Sequence, residues 1–522
     1  TVPEGNNMPA IAVAKKGGTL STGDMTDLNV AGFEMISGNF LAPPGVLNIT
    51  YPVNARATLL ASYGGNYLHN NGSLRLFMSS GSLSGAKMHD IVITHPITLH
   101  NFILTGGHSS RNWQYNYNLD IAKEAYLTVA GTLTFQTDPA NYWLRLNGSA
   151  IVIDGAVAVG PGADGGTTKL LFTNSNDQLY HSTGGRLPCL VVDKPSGTLG
   201  PANNATNLAA YAIELNSGTF IAPENIFDIT YIPNEAVTFF KVNGGNFVHN
   251  NGTVKFARNH ASNNGSRQQY VSIKHPIEFA TLMLTGGHSG QSWQYRYEFE
   301  IEEPGSITVS QHLIYAADPT NYWIRTNLGE LDVTGDVTIG QGTSGGTTKL
   351  RLSGTQDQTI HHNLGTPFLG NWTIDKPSGT VLLATPLTLS GTAQDLLWQS
   401  GNIDLHTNTL AVGRHLTINE GAKQLDVTVA AAGTVGNLAI TGQASGIDNL
   451  TLQVNGLRSA REDSKEHTYT VLSNNTILDS ELAATEWVKP WRGKVDYTAN
   501  SGKDITLHSV YYSSPGTTLL VR

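Results

Sequence analysis

GGNYLHNNGS at residues 64–73 returns as GGNFVHNNGT at residues 244–253, and this 180-residue repeat governs the reading of the whole chain. Internal repeats decide architecture before any local pattern does. The same offset carries TGGHS from 105–109 to 285–289, DPANYW at 138–143 to DPTNYW at 318–323, and GGTTKL from 165–170 to 345–350. The register slips only near the end, where DKPSGT at 193–198 returns at 375–380, an offset of 182. A two-residue insertion therefore lies between His361 and Asp375, where a loop is expected. A third unit opens at Trp398-Gln399-Ser400-Gly401-Asn402, echoing Leu215-Asn216-Ser217-Gly218-Thr219, but it is shorter and lacks the GGH and NYW signatures. The expected divisions are an N-terminal strand or cap segment (1–30), two full units (31–205 and 206–391), a degenerate unit (392–456) and a C-terminal β cap (457–522).

Within a unit the texture is that of strands. Tyr126-Leu127-Thr128-Val129-Ala130-Gly131-Thr132-Leu133-Thr134-Phe135 alternates apolar and small polar residues and breaks at glycine, as does Leu331-Asp332-Val333-Thr334-Gly335-Asp336-Val337-Thr338-Ile339. No segment sustains a helical apolar period over three turns. Short strands at this spacing suit a sandwich or a solenoid. Apolar triplets every 20–25 residues or so, and a unit too long for one sandwich, favour an all-β, right-handed parallel β-helix. At about 4.8 Å per coil, some 23 coils would make a rod of roughly 110 Å.

Composition agrees and excludes several classes. The chain has 522 residues, 56 of them glycine, with 39% hydrophobic and only 14% charged residues. That charge content is about half that of an ordinary soluble domain. A net charge of −9 without a basic run argues against nucleic-acid binding. A single cysteine, Cys189, excludes an intramolecular disulfide and multi-cysteine metal sites, and is expected to be a small buried side chain. No stretch of 18 uninterrupted apolar residues offers a membrane-spanning helix. A start at Thr1 is expected of a processed secretory protein or a trimmed chain.

Several phrases resemble those of large secreted bacterial surface proteins. SGTFIAP at 217–223 with NFVHNNGTVKF at 246–256 resembles their "GTFxAP…GGTFxHNNGTVxF", and WTIDKPSGTV at 372–381, LTLSG at 387–391 and NIDLHTNTLAVG at 402–413 resemble the matching coil. The tail, with YTVL at 469–472, Trp487, VDYT at 495–498 and KDITL at 503–507, is similar to the closing segment of autotransporter-like passengers. The resemblance implies a parallel β-helix outside a bacterial cell and names no reaction. The GGH…WQY and DPxNYW blocks depart from it, so a particular function is to be sought there.

Those blocks supply the binding or interface candidates: Trp113, Tyr115, Tyr117, Tyr142, Trp143, Trp293, Tyr295, Tyr297, Tyr322 and Trp323. Alternation places Trp113, Tyr115 and Tyr117 on one face of a strand. That face is either an aromatic ladder between coils, a subunit interface or a platform for sugar rings. Asp138 and Arg145, with Asp318 and Arg325, suit a closed turn; as chemistry they would suit a lyase or glycosidase, which also needs a second carboxylate. His69, His95 and His108 recur as His249, His275 and His288, but their spacing matches no local metal-ligand pattern, so turn and surface roles are expected and no metal or other cofactor is assigned. Gly342-Thr343-Ser344-Gly345-Gly346 matches a nucleophile elbow in letters only, because no helix is expected after Ser344. Catalysis needs one constellation, whereas packing and assembly surfaces repeat along a rod.

The expectation is a non-enzymatic, extracellular or cell-surface rod: a filament or sheath subunit or an adhesin stalk, self-associating through terminal strands and aromatic patches or contacting other surface proteins. The alternative is a polysaccharide-binding or polysaccharide-degrading β-helix with glycan partners. The terminal strands at 7–19 and 517–521 are the candidates for strand addition to a neighbour.

Overall fold

The computed structural model describes all residues except 1–7, 52–55, 79–86, 107–113, 138–142, 204, 232–235, 259–266, 287–293, 318–322, 364–370, 390–394, 458–466, 479 and 513–522. Among the described residues the chain is all-β. There is no α-helix, and the short turns Ala431–Gly433, Ile447–Asn449 and Ala499–Ser501 are 3₁₀. No helix is long and apolar enough to cross a membrane. Nearly every strand pairs in parallel with the strand one circuit of the chain later, and alternate side chains are buried, as in Lys349–Leu352 and Asp336–Ile339.

The chain packs as two compact units, one of residues 1–233 with 238–257 and one of 234–237 with 258–522. In the first, Leu28, Leu47, Leu74, Phe102, Leu133, Val157 and Tyr180 are register partners on seven successive layers, separated by 19 to 31 residues. All seven are buried. In the second, Ile277, Ile307, Leu331, Leu350, Trp372, Leu396, Leu416 and Ala444 form an equivalent column of eight. Each large member contributes about 1.5–3 kcal/mol by leaving water, so the columns dominate the stability of each unit. The second unit closes with antiparallel pairing: Asp504–Tyr512 lies between Tyr469–Asn474 and Trp491–Asp496.

Two of the repeated phrases, HNNG and DKPSGT, make corners of these layers. In HNNG, Asn70 and Asn71 have φ of 48° and 54°, and Asn250 and Asn251 have 50° and 56°. Asparagine tolerates this left-handed region better than most residues. The His69 ring accepts the Asn71 N–H at 3.0 Å, as His249 does that of Asn251 at 2.9 Å. Gly72 and Gly252 then pass the previous layer so closely that a Cβ would lie 2.3 Å from the carbonyl oxygens of Pro43 and Pro223.

DKPSGT is likewise wired to the layer before it. The Lys194 ammonium is buried and donates to Gln178 Oε1 at 2.6 Å and Asn174 Oδ1 at 3.2 Å. In the copy, Lys376 is buried and donates to Gln358 Oε1 at 2.7 Å and to the carbonyls of Gln356 and Ser353 at 2.7 and 3.1 Å. Each glutamine amide in turn spans two carbonyls, Ile153 and Gly155 or Val333 and Gly335. Thr198 and Thr380 complete the corner by donating their N–H to Asp177 and Asp357, each at 2.8 Å.

Candidate functional site

Because side chains alternate along a strand, each inward column has an outward one beside it. On the second unit the outward partners are Asp332, Arg351, Thr373, Leu397, Thr417 and Ser445, in register over six layers. Beside them run Glu330, Lys349, Asn371, Asp395, His415 and Gln443. With Gln399 and the rim residues Thr476 and Ile477, all of these except Asp332 line a groove of about 910 Å³. Ile477 is 68% exposed at this rim.

Two of the groove's carboxylates, Asp375 and Asp395, are paired with arginines. Arg351 donates through Nε and Nη2 to Asp375 Oδ2, at 3.2 and 2.6 Å, while Ser400 donates to Oδ1 at 3.0 Å. The Arg351 hydrogen bond holds the Asp375 carboxyl below its ordinary range. Asp395 pairs with Arg414 at 3.2 Å. Asp395 N–H donates to Asn371 Oδ1 at 3.2 Å, and Gln443 N–H to His415 Nδ1 at 3.0 Å. The Gln399 and Gln443 amides and the Lys349 ammonium make no side-chain hydrogen bond among the described residues and face the open groove.

Of the aromatic candidates, Tyr115, Tyr117 and Tyr297 are fully buried. The Tyr117 hydroxyl donates to the carbonyls of Thr105 and Leu76 at 2.7 and 3.0 Å, and that of Tyr297 to Thr285. These three are internal pegs rather than surface platforms: the strands turn their apolar bodies into the core, and strand carbonyls receive the hydroxyls of Tyr117 and Tyr297. Trp143 stands out at 62% exposure, opening Trp143–Gly148. Trp113, Tyr142, Trp293 and Tyr322 lie outside the described residues, as do the side chains of Tyr295 and Trp323.

Arg145 is paired, but one layer on from the turn where a partner was expected: Asp164 accepts its Nη2 at 2.6 Å and Arg186 Nη1 at 3.2 Å. Asp138 and Asp318, like His108 and His288, lie outside the described residues. His95 and His275 are exposed, whereas His69 stacks on His100 with ring centroids 5.4 Å apart. No cluster of three or more potential metal ligands occurs among the described residues. Thr343–Gly346 is a strand with no α-helix after it, so the elbow letters carry no elbow. Cys189 is half-buried rather than buried, on an outward position between Lys169 and Ala212. Burial pushes its thiol up to about 12, which leaves it an inert thiol at neutral pH.

Sequence reading passed over the groove because it searched the shared blocks, and the groove is made where the copies differ. Ala150, Val152, Leu171 and Cys189 of the first unit stand where Glu330, Asp332, Arg351 and Asn371 stand in the second, and Ala212, near the start of the second unit, stands where Asp395 stands near the start of the degenerate third. That exchange of apolar for polar residues at outward positions was the available signal.

No protein-family profile matches the sequence, and no curated protein matches it. Among solved structures, the crystal structure of the Haemophilus influenzae Hap adhesin is similar over 94% of this chain and 64% of its own chain, at 11% identity and a TM-score of 0.29. This chain therefore spans less than two thirds of that adhesin structure.

Proposed function

We propose that the chain is a right-handed parallel β-helix exposed outside a bacterial cell, serving a structural or adhesive role rather than a catalytic one. Right-handedness follows from the chirality of parallel crossovers. The observation that carries the reading is the repeat itself: two copies of the HNNG corner, each closed by its own histidine, and two of the DKPSGT corner, each bonded to the layer before it, build reach rather than a single reaction centre. The resemblance of those same phrases to secreted surface proteins supplies the location.

Ile11–Ser21 ends its sheet, pairing with Phe33–Leu41 on one side and with no other strand among the described residues. An edge of this kind is suited to accept a strand from a neighbouring copy. A hydrolase would need a carboxylic acid held protonated beside a carboxylate. In the groove Asp375 is held ionised by Arg351 and Asp395 is engaged by Arg414, which favours binding over hydrolysis.

Protease treatment of intact source cells tests the location. Digestion of the chain on intact cells is expected, and digestion only after lysis contradicts it. Electron microscopy of the purified chain with and without residues 1–19 tests end-to-end strand addition, and polymers unchanged by the deletion contradict that part.

A further inference from the structure

We propose that the outward groove of the second unit binds an uncharged, hydroxyl-rich glycan chain lying across its stacked layers. The proposal deepens the surface reading, on which it rests for access to such a ligand.

The groove, at about 910 Å³, falls in the range of roughly 300–1,000 Å³ typical of ligand sites. Its floor presents Arg351, Thr373, Leu397, Thr417 and Ser445 on successive layers. Five such layers at about 4.8 Å apart give a track about 19 Å long. A ligand that matches a track of repeated, evenly spaced groups is itself a chain of repeated units.

Gln399, Gln443, Asn371, Thr373, Thr417 and Ser445 offer amides and hydroxyls, each able to donate and accept, which is what a sugar hydroxyl requires of a partner. Leu397 and Ile477 add apolar surface for the C–H faces of rings. Arg351 and Arg414 are already neutralised by Asp375 and Asp395, so the lining holds no uncompensated basic cluster to select a polyanion. The floor lies on strand faces whose backbone groups are used between layers, so a peptide could not add here as a strand.

The corners that build the fold are kept in both full units, while Ala150 and Leu171 of the first are replaced by Glu330 and Arg351 in the second, and Ala212 of the second by Asp395 in the degenerate third. Polar groups at these positions are not needed to form the layers, because the preceding repeat forms them without.

Isothermal titration with maltopentaose, cellopentaose and chitopentaose as neutral probes, and polygalacturonate as the charged comparator, tests the proposal on the full chain. We expect saturable one-to-one binding of at least one neutral probe. Gln399→Ala combined with Gln443→Ala should weaken it at least about tenfold, and so should Glu330→Ala with Arg351→Leu and Asp395→Ala, which restore the residues of the preceding repeat. Trp143→Ala on the first unit should leave it unchanged. Unaltered thermal melting of both groove variants would separate lost contacts from lost fold; if the triple variant melts early, the Gln399/Gln443 variant decides. Absence of binding by every neutral probe, preference for polygalacturonate, or binding that survives both groove variants overturns the proposal. Protease accessibility on cells is independent of all these results, so failure of the groove and failure of the surface reading are distinguishable.

Discussion

Two buried lysines carry more of the fold than their charge suggests. Burial holds the Lys194 and Lys376 ammonium groups below their ordinary range, and each is retained because carbonyl and amide oxygens surround it. Lys376→Met leaves the Ser353 and Gln356 carbonyls without their donor, and should cost about 2 kcal/mol at neutral pH. Because the folded value is lowered, the unfolded chain holds more protons between that value and the ordinary 10.5, so stability from this group rises with pH across that window. Denaturant midpoints should therefore show the gap between the native chain and Lys376→Met widening from neutral pH to about pH 10; a constant or shrinking gap contradicts the assignment. DKPSGT was visible in the sequence as a repeated phrase, but its partner glutamine lies 16 or 18 residues upstream. Nothing local marks that glutamine as a partner, since the stacking alone brings the two together.

At the scale of the element, each strand is a rung whose inward residues matter and whose corners must close. Gly252→Ala should destabilise the first unit by more than Asn251→Ala, because the added Cβ would meet the Pro223 carbonyl. The asparagine change loses about 1–2 kcal/mol of left-handed tolerance. Thermal melts of the two variants give the order directly. Leu350→Ala, in the middle of the eight-residue column, should cost about 2–5 kcal/mol. The same substitution at exposed Lys349, one residue away, should cost under about 0.5 kcal/mol. Strand texture was legible because alternation of small polar and apolar residues is a local property. Which face the aromatic blocks took was not legible: Tyr115, Tyr117 and Tyr297 turn inward, where strand carbonyls receive the hydroxyls of Tyr117 and Tyr297. That fact belongs to the neighbouring layer and not to the block.

At the scale of the molecule, duplication and divergence divide the labour. Shared corners make the layers, and outward residues of the second unit, the degenerate third and the cap make the groove. A search for function in the repeated signatures therefore recovers architecture, whereas alignment of the copies against each other points to Glu330, Arg351, Asn371 and Asp395. All of this depends on parallel stacking one layer at a time, and cysteine pairs test that most directly. In a Cys189→Ser background, Thr373→Cys with Leu397→Cys, and Leu397→Cys with Thr417→Cys, place register partners on adjacent layers, about 4.8 Å apart and within disulfide reach. Thr373→Cys with Thr417→Cys skips a layer and stands at about twice that distance. The stacked arrangement predicts rapid oxidation of both adjacent pairs with native melting retained, and none of the skipping pair. Oxidation of the skipping pair at a comparable rate, or failure of both adjacent pairs in a folded chain, would contradict it.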